Sequence, residues 1–169
     1  LITGANGLLG QKLVSLLSKQ QEVNFLATAK GVCRFSLPDN VAYRTLDITN
    51  ADACKNLLNE FQPDALIHAA AMTQVDACED EREMCDLINI TGVSNLIKAI
   101  GNRNTHFVHL STDFIYEGNE EEYFEDSKVN PLNYYGRSKW KSEKLFEKVF
   151  FPYSILRTVL VYGVVQDLS

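Results

Sequence analysis

Much is scarce in this chain, and each scarcity removes a class of protein. No apolar run approaches the ~18 residues of a membrane span, so no transmembrane segment is expected. Nine glycines and four prolines in 169 residues are too few for a collagen-like or low-complexity chain. Positive charge is in deficit: 16 Lys and Arg against 22 Asp and Glu leave a net charge of −6. That balance argues against a nucleic-acid groove or an anionic membrane surface as partner. The four cysteines form no C-x-x-C pair and have no His at zinc spacing. Reduced thiols in a cytoplasmic protein are therefore expected. The densest charge cluster, Glu120–Glu122 with Glu125 and Asp126, has no His beside it and reads as a solvated loop, so no metal site is expected.

What is present is a 46% hydrophobic chain of single-domain length, long enough to bury a core without staples. Its pattern alternates. Leu1–Thr3 ends a strand, and Leu9, Leu13, Leu16 and Leu17 then recur at helical spacing. Val23–Ala29 and Val41–Leu46 read as strands. Cys54, Leu57, Leu58 and Phe61 make a helical stripe that Pro63 stops. Ala65–Ala71 is a short apolar run suited to a central parallel strand. Met84, Leu87, Ile88, Val93, Leu96, Ile97 and Ile100 trace a helix closed by Gly101. His106–Leu110 predicts a fifth strand, residues from about Leu132 to Phe150 a helix, and Ser154–Val161 a sixth strand. The alternation predicts an α/β fold with a doubly wound, Rossmann-like parallel sheet.

Three motifs carry chemistry. Residues 3–10, TGANGLLG, place Gly4, Gly7 and Gly10 between a strand end and a helix start. There glycines let the backbone approach a pyrophosphate, and the helix supplies free N–H groups. Tyr135 and Lys139 form a Y-x-x-x-K pair that shares one helix face. An adjacent ammonium would favour the phenolate and lower the tyrosine pKa, which suits proton exchange with an alkoxide. Alone, such a pair more often marks two exposed helix residues. Here Ser111-Thr112-Asp113 ends the fifth strand at the edge where such sheets bind ligands, and a hydroxyl there can bind a carbonyl oxygen.

The G-x-x-G-x-x-G spacing resembles the extended short-chain dehydrogenase/reductases. AAAMTQVDACEDE (69–81), STDFIYEG (111–118), NPLNYYGRSKWKSEK (130–144) and LRTVLVYG (156–163) resemble the dTDP-4-dehydrorhamnose reductase family. The resemblance implies a nucleotide-sugar 4-keto reductase using NADP(H) or NAD(H), with a possible homodimer. Family members continue into a C-terminal sugar-nucleotide domain that is largely missing here. Residues 1–169 would then be the NAD(P)-binding domain, incomplete at both ends. It also implies roles. Tyr135 would donate the proton, Lys139 would hold the nicotinamide ribose and Thr112 the reacting oxygen, and Asp113 would face the sugar nucleotide. Gly7, Leu8 and Leu9 would meet the pyrophosphate, Asp47 and Ile48 the adenine, and Ala70, Ala71 and Thr73 the nicotinamide side. Asp47 equally suits a turn before Thr49-Asn50, and Asn89 equally suits a plain helix face.

Lys30, which follows the second strand, would favour a 2′-phosphate, with Arg34 just beyond and no carboxylate at the strand end. Two positions depart from the family: Leu160 stands where a Trp is usual, and Met72 where many members have His. Phe114 replaces the Glu that dehydratases use as a second acid/base, and a phenyl ring moves no proton. Two alternatives stand beside the reductase. One is a sugar-nucleotide epimerase. The other is a non-catalytic NADP-binding subunit of the methionine adenosyltransferase type.

Overall fold

The computed structural model describes residues 1–120 and 122–165. Glu121, inside the acidic cluster, and residues 166–169 lie outside it. The six strands are β1 (Ile2–Thr3), β2 (Leu26–Ala29), β3 (Ala42–Thr45), β4 (Ala65–His68), β5 (His106–Thr112) and β6 (Tyr153–Thr158). They form one parallel sheet in the order β3-β2-β1-β4-β5-β6. The winding direction reverses between β1 and β4, and such a reversal opens a crevice at the carboxyl edge of a parallel sheet. The helices are α1 (Leu8–Leu17), α2 (Ala51–Phe61), α3 (Val75–Asp80), α4 (Arg82–Asp86), α5 (Gly92–Ile100) and α6 (Tyr134–Lys144).

The elements follow the sequence pattern with instructive differences. β2 begins three residues later than the apolar run, and Val23 is exposed. β4 stops at His68; the Ala69 N–H still bonds the Thr3 carbonyl, and the chain then turns out of the sheet. α1 buries Gly10, Gln11 and Val14, while Leu16 of the predicted stripe is exposed. The helix expected from Met84 onward is three pieces: α4, one π turn over Leu87–Thr91, and α5, closed by Gly101 at φ 59°. α6 is shorter than its apolar signal, because residues Leu145–Lys148 tighten into a 3₁₀ turn. β6 ends at Thr158, and Val159–Tyr162 continue as exposed coil. All four cysteines are free thiols, three of them buried. No helix among the described residues is long and apolar enough to cross a membrane.

One sheet face changes character along its length. Near the amino ends of the strands it carries Leu1, Leu26, Leu66 and Phe107, packed with Leu57 and Leu58 of α2 and Val93 and Leu96 of α5. Two residues further on, the same face carries Thr28, Thr3, His68 and His109, which are register partners across β2, β1, β4 and β5. This row is buried yet polar. The Thr28 hydroxyl donates to the Ile2 carbonyl (2.8 Å), and the Thr3 hydroxyl lies 2.7 Å from His68 Nδ1. The two imidazoles stack with centroids 5.7 Å apart, and His109 Nε2 lies 3.0 Å from the Ser142 hydroxyl of α6. The apolar end supplies the core, and the polar end carries the helix that bears Tyr135 and Lys139.

Both imidazoles are held neutral. Burial, with Lys139 nearby, pushes His68 down from 6.5 to about 3, and His109 is lowered in the same direction by burial first. An unfolded chain would protonate both near the ordinary value, so below that pH it binds more protons than the native state. Stability is therefore full above about pH 6.5 and falls as the pH drops toward about 3. The expected loss reaches about 1.4 kcal/mol per pH unit for each imidazole. Melting curves of the full-length protein from pH 7.5 to 5 check this. Replacing both His by non-titrating residues should flatten the dependence.

Candidate active site

The glycine turn is built from three positions with three different constraints. Gly4 has φ +77°, and a side chain there would run into Ala70 N at 2.5 Å. It is the tight turn itself, pressed against the Ala69–Ala70 backbone that leaves β4. Gly10 is buried, and a Cβ on it would collide with the Gly4 carbonyl, so it fixes how closely α1 approaches the turn. Gly7, the N-cap of α1, has extended backbone and only the Gly4 carbonyl within contact range, at 3.4 Å. Its missing side chain leaves open space at a helix N-terminus, which is what an incoming phosphate requires.

Beside this turn lies a cavity of about 340 Å³ in the crevice at the switch point. Of the predicted cofactor residues, Gly4, Gly7, Lys30, Asp47, Ile48, Ala70 and Ala71 line it. Leu8, Leu9, Gly10 and Thr73 do not: the leucines are half-buried on the first turn of α1, Gly10 is packed against Gly4, and Thr73 is exposed. Arg34, named beyond Lys30 in the sequence, also lines it, as do Met84 and Leu87, which were absent from the predicted set. The signal for Met84 and Leu87 was present as a helical apolar stripe, but these residues face the cavity rather than the core.

The end of the cavity at Lys30 differs from the sequence expectation. Lys30 is not a free cation: its Nζ lies 3.0 Å from Asp47 Oδ2. A carboxylate does stand in this region, delivered from the end of β3 rather than β2. The Asp47 carboxyl sits below the ordinary carboxylate range, chiefly because the Thr49 hydroxyl donates to it (2.7 Å), with Lys30 adding to the effect. Arg34 is the second cation on the wall, and its N–H donates to the Asn6 side chain (3.0 Å).

Outside the lining of this cavity, Thr112 at the carboxyl end of β5 faces the Tyr135 hydroxyl of α6, and Lys139 is buried one turn further along that helix. The Thr112 hydroxyl accepts from the Phe114 N–H (3.2 Å) and donates to Asp113 Oδ1 (3.1 Å). Asn133 caps α6 by accepting from the Gly136 N–H (2.7 Å). Gly136 is obligatory, because a Cβ on it would strike the Phe114 carbonyl. The contact sets α6 against the strand end and brings the Phe114 and Tyr135 rings edge to face, 6.1 Å apart.

Asn89, in the π turn, ties the two halves together. Its Oδ1 accepts from the Met72 N–H (2.8 Å), and its Nδ2 donates to the Met72 carbonyl (3.0 Å) and the Ser138 hydroxyl (2.9 Å). It thus fixes the segment after Ala69–Ala71 to the helix of Tyr135. A π turn frequently marks a functional site, and here it aims this side chain.

The electrostatics reverse one expectation. Tyr135 is pushed up to about 12, not down, because burial dominates and the Thr112 hydroxyl only partly opposes it. Lys139, fully buried, is lowered to about 8 by burial against the pull of Glu143. At neutral pH the pair is a protonated phenol beside an ammonium.

The family model described as the RmlD substrate binding domain matches residues 1–167. The chain belongs to this family. It is 34% identical over 164 residues to a dTDP-4-dehydrorhamnose reductase of Aggregatibacter actinomycetemcomitans, covering 96% of this chain and 51% of the relative. It is 32% identical over 169 residues to methionine adenosyltransferase 2 subunit beta of Xenopus tropicalis, covering all of this chain and 48% of that protein. The solved structure of the Bacillus anthracis dTDP-4-dehydrorhamnose reductase in complex with NADP superposes with a TM-score of 0.77 at 32% identity. The match covers 98% of this chain and 54% of that one. This member of the RmlD family therefore spans about half the length of the relatives it matches.

The glycine geometry predicts a split between fold and site. Gly10→Ala is expected to cost about 1–3 kcal/mol, the usual penalty of overpacking. Gly7→Ala is expected to cost no more than about 1 kcal/mol, within the range of N-cap changes. Chemical denaturation of both variants of the full-length protein checks the contrast.

Proposed function

We propose that this chain is the cofactor-binding domain, residues 1–169, of an NAD(P)H-dependent reductase acting on a nucleotide-linked 4-keto-6-deoxy sugar. The observation that supports this reading is the Tyr135 hydroxyl beside the Thr112 hydroxyl at the carboxyl end of β5, with Lys139 buried on the same helix and the Gly4–Gly7 turn and cavity at the switch point of the same sheet. The cavity fits a dinucleotide: Gly7 leaves space at a helix N-terminus, Ala69–Ala71 after β4 with Met84 of α4 and Leu87 form an apolar wall, and two cations stand at the far end.

The dinucleotide, when bound, supplies the hydride. The chain's own residues do the rest. Gly7 and the first turn of α1 take the pyrophosphate on backbone N–H groups, and Ala70 and Ala71 flank the nicotinamide half. The Thr112 hydroxyl holds the substrate carbonyl oxygen and stabilises charge developing on it. Tyr135 transfers its phenolic proton to that oxygen. Its raised pKa keeps the proton in place until then, which suits the reductive direction. Lys139 steadies the phenolate left behind and binds the ribose. Asp113 faces the sugar nucleotide. Phe114 fills the position of a second acid/base and moves no proton, which favours reduction over dehydration. The free thiols fit the reducing cytoplasm as the place of work.

A second reading, a dinucleotide-binding regulatory subunit, is favoured by the comparable identity to methionine adenosyltransferase 2 subunit beta. NADPH oxidation by the full-length protein with a dTDP-4-keto-6-deoxy sugar separates the two: turnover supports the reductase, and tight NADPH binding without turnover supports the subunit. In the reductase, Tyr135→Phe should lower kcat on the order of 10²–10⁴ with cofactor affinity little changed.

Cofactor choice rests on the Lys30–Asp47 pair. Asp47 repels a 2′-phosphate unless Lys30 neutralises it. Lys30→Ala should therefore weaken NADPH several-fold to tens-fold, a charge effect of roughly 1 kcal/mol or somewhat more, and leave NADH nearly unchanged. Calorimetric titration of both cofactors at low salt is the check, and a parallel loss would mean that both are accepted alike.

A further inference from the structure

α6 docks on the sheet through a polar face. Its buried residues are Gly136, Ser138, Lys139, Ser142 and Glu143. Tyr135, Lys139 and Glu143 lie at i, i+4 and i+8, so they share one side of the helix. Glu143 is almost fully buried, at 4% exposure, and is held from two strands. The Ser111 hydroxyl of β5 donates to its Oε1. Arg157 of β6 grips it with Nη2 to Oε2 at 2.8 Å and Nε to Oε1 and Oε2 at 3.2 and 3.3 Å. Arg157 is itself fixed by the Tyr116 hydroxyl and the Glu125 carbonyl, both at 2.7 Å. The carboxylate therefore cannot swing away from Lys139.

Apart from Glu143, and a smaller favourable contribution from Cys85, the groups around Lys139 give its charge no support. From β4 and β5 it faces His68 and His109, both neutral. From α4 comes the Cys85 thiol, and from its own helix Tyr135, which is protonated. Burial presses Lys139 to give up its proton, and Glu143 is the ionised carboxylate that opposes this. We propose that Glu143 is a positioning residue for the reduction: clamped by Arg157 and Ser111 one helical turn beyond Lys139, its carboxylate keeps the Lys139 ammonium charged beside Tyr135. Its place in catalysis rests on the reductase reading above; its effect on Lys139 does not. The sign follows directly. Removing the negative charge lets Lys139 deprotonate at lower pH. Removing Arg157 releases the carboxylate from its place beside Lys139 and lowers that pH as well.

The test is a pH titration of the Lys139 Nζ signal in the full-length protein labelled with [¹⁵N]lysine, assigned by its loss in Lys139→Met. Glu143→Gln should lower the midpoint by about one pH unit, the size of effect a nearby opposite charge produces. Arg157→Gln should lower it too, by less, because the carboxylate loses its clamp. Glu143→Asp should keep it near the wild-type value. Two variants acting on the same carboxylate keep the test decisive if one fails to fold. A midpoint that stays at the wild-type value in a folded Glu143→Gln or Arg157→Gln variant overturns the proposal. In steady-state assays the basic limb of the kcat profile should move with the NMR midpoint, which a merely structural loss would not cause. Full activity in Tyr135→Phe would instead sink the reductase reading and leave the Lys139 titration as it stands.

Discussion

The packing of α6 is the constraint from which the site follows. Helices on a sheet ordinarily dock through an apolar stripe. α6 instead presents two serines, a lysine and a glutamate, and the sheet answers with His109, Ser111 and Arg157. Apolar contacts tolerate small slides, because dispersion is non-directional. Hydrogen bonds and a two-pronged ion pair do not. Rotation or translation of the helix by part of a turn would break several of them and leave buried groups unpaired, each at a cost of about 1–3 kcal/mol. The polar interface is thus a registration device. It holds two reactive side chains on one helix against a hydroxyl on a strand.

The architecture was readable because its signals are local. The apolar runs, the glycine turn and the stop at Pro63 each act over a few residues, and a parallel sheet is the common way to bury short apolar strands alternating with helices. The differences have physical causes. The stripe containing Met84 and Leu87 read only as a helix; periodicity reports that a face avoids water, and a crevice meets that need as a core does. The break of that helix into a π turn at Asn89 left no trace in the apolar spacing, since it serves a side-chain hydrogen bond to a loop 17 residues earlier. α3 was missed because its six residues are too few to set a period.

The site was legible in its chemistry and less so in its electrostatics. Thr112 ends β5, Tyr135 and Lys139 share α6, and the topology brings the two elements together. What no spacing could show is how deeply they are buried. The expected fall in the tyrosine pKa assumed that the neighbouring charge outweighs desolvation, and the fold reverses that order. Lys30 looked like a free cation because Asp47, 17 residues away, gives no local sign of reaching it. Glu143 and Arg157 were invisible for the same reason: an ion pair between a helix and the following strand is a tertiary fact.

The glycine turn and the α6 contact divide their residues into two kinds. Gly4, Gly10 and Gly136 are held by backbone collisions, so the shape of the domain depends on them. Gly7 and the phenolic oxygen of Tyr135 meet no such constraint. The proposed chemistry and the architecture are therefore separable in this domain by single substitutions. Such a fold is free to outlive its chemistry: a lineage can lose the proton donor, keep the crevice, and go on as a ligand-sensing scaffold.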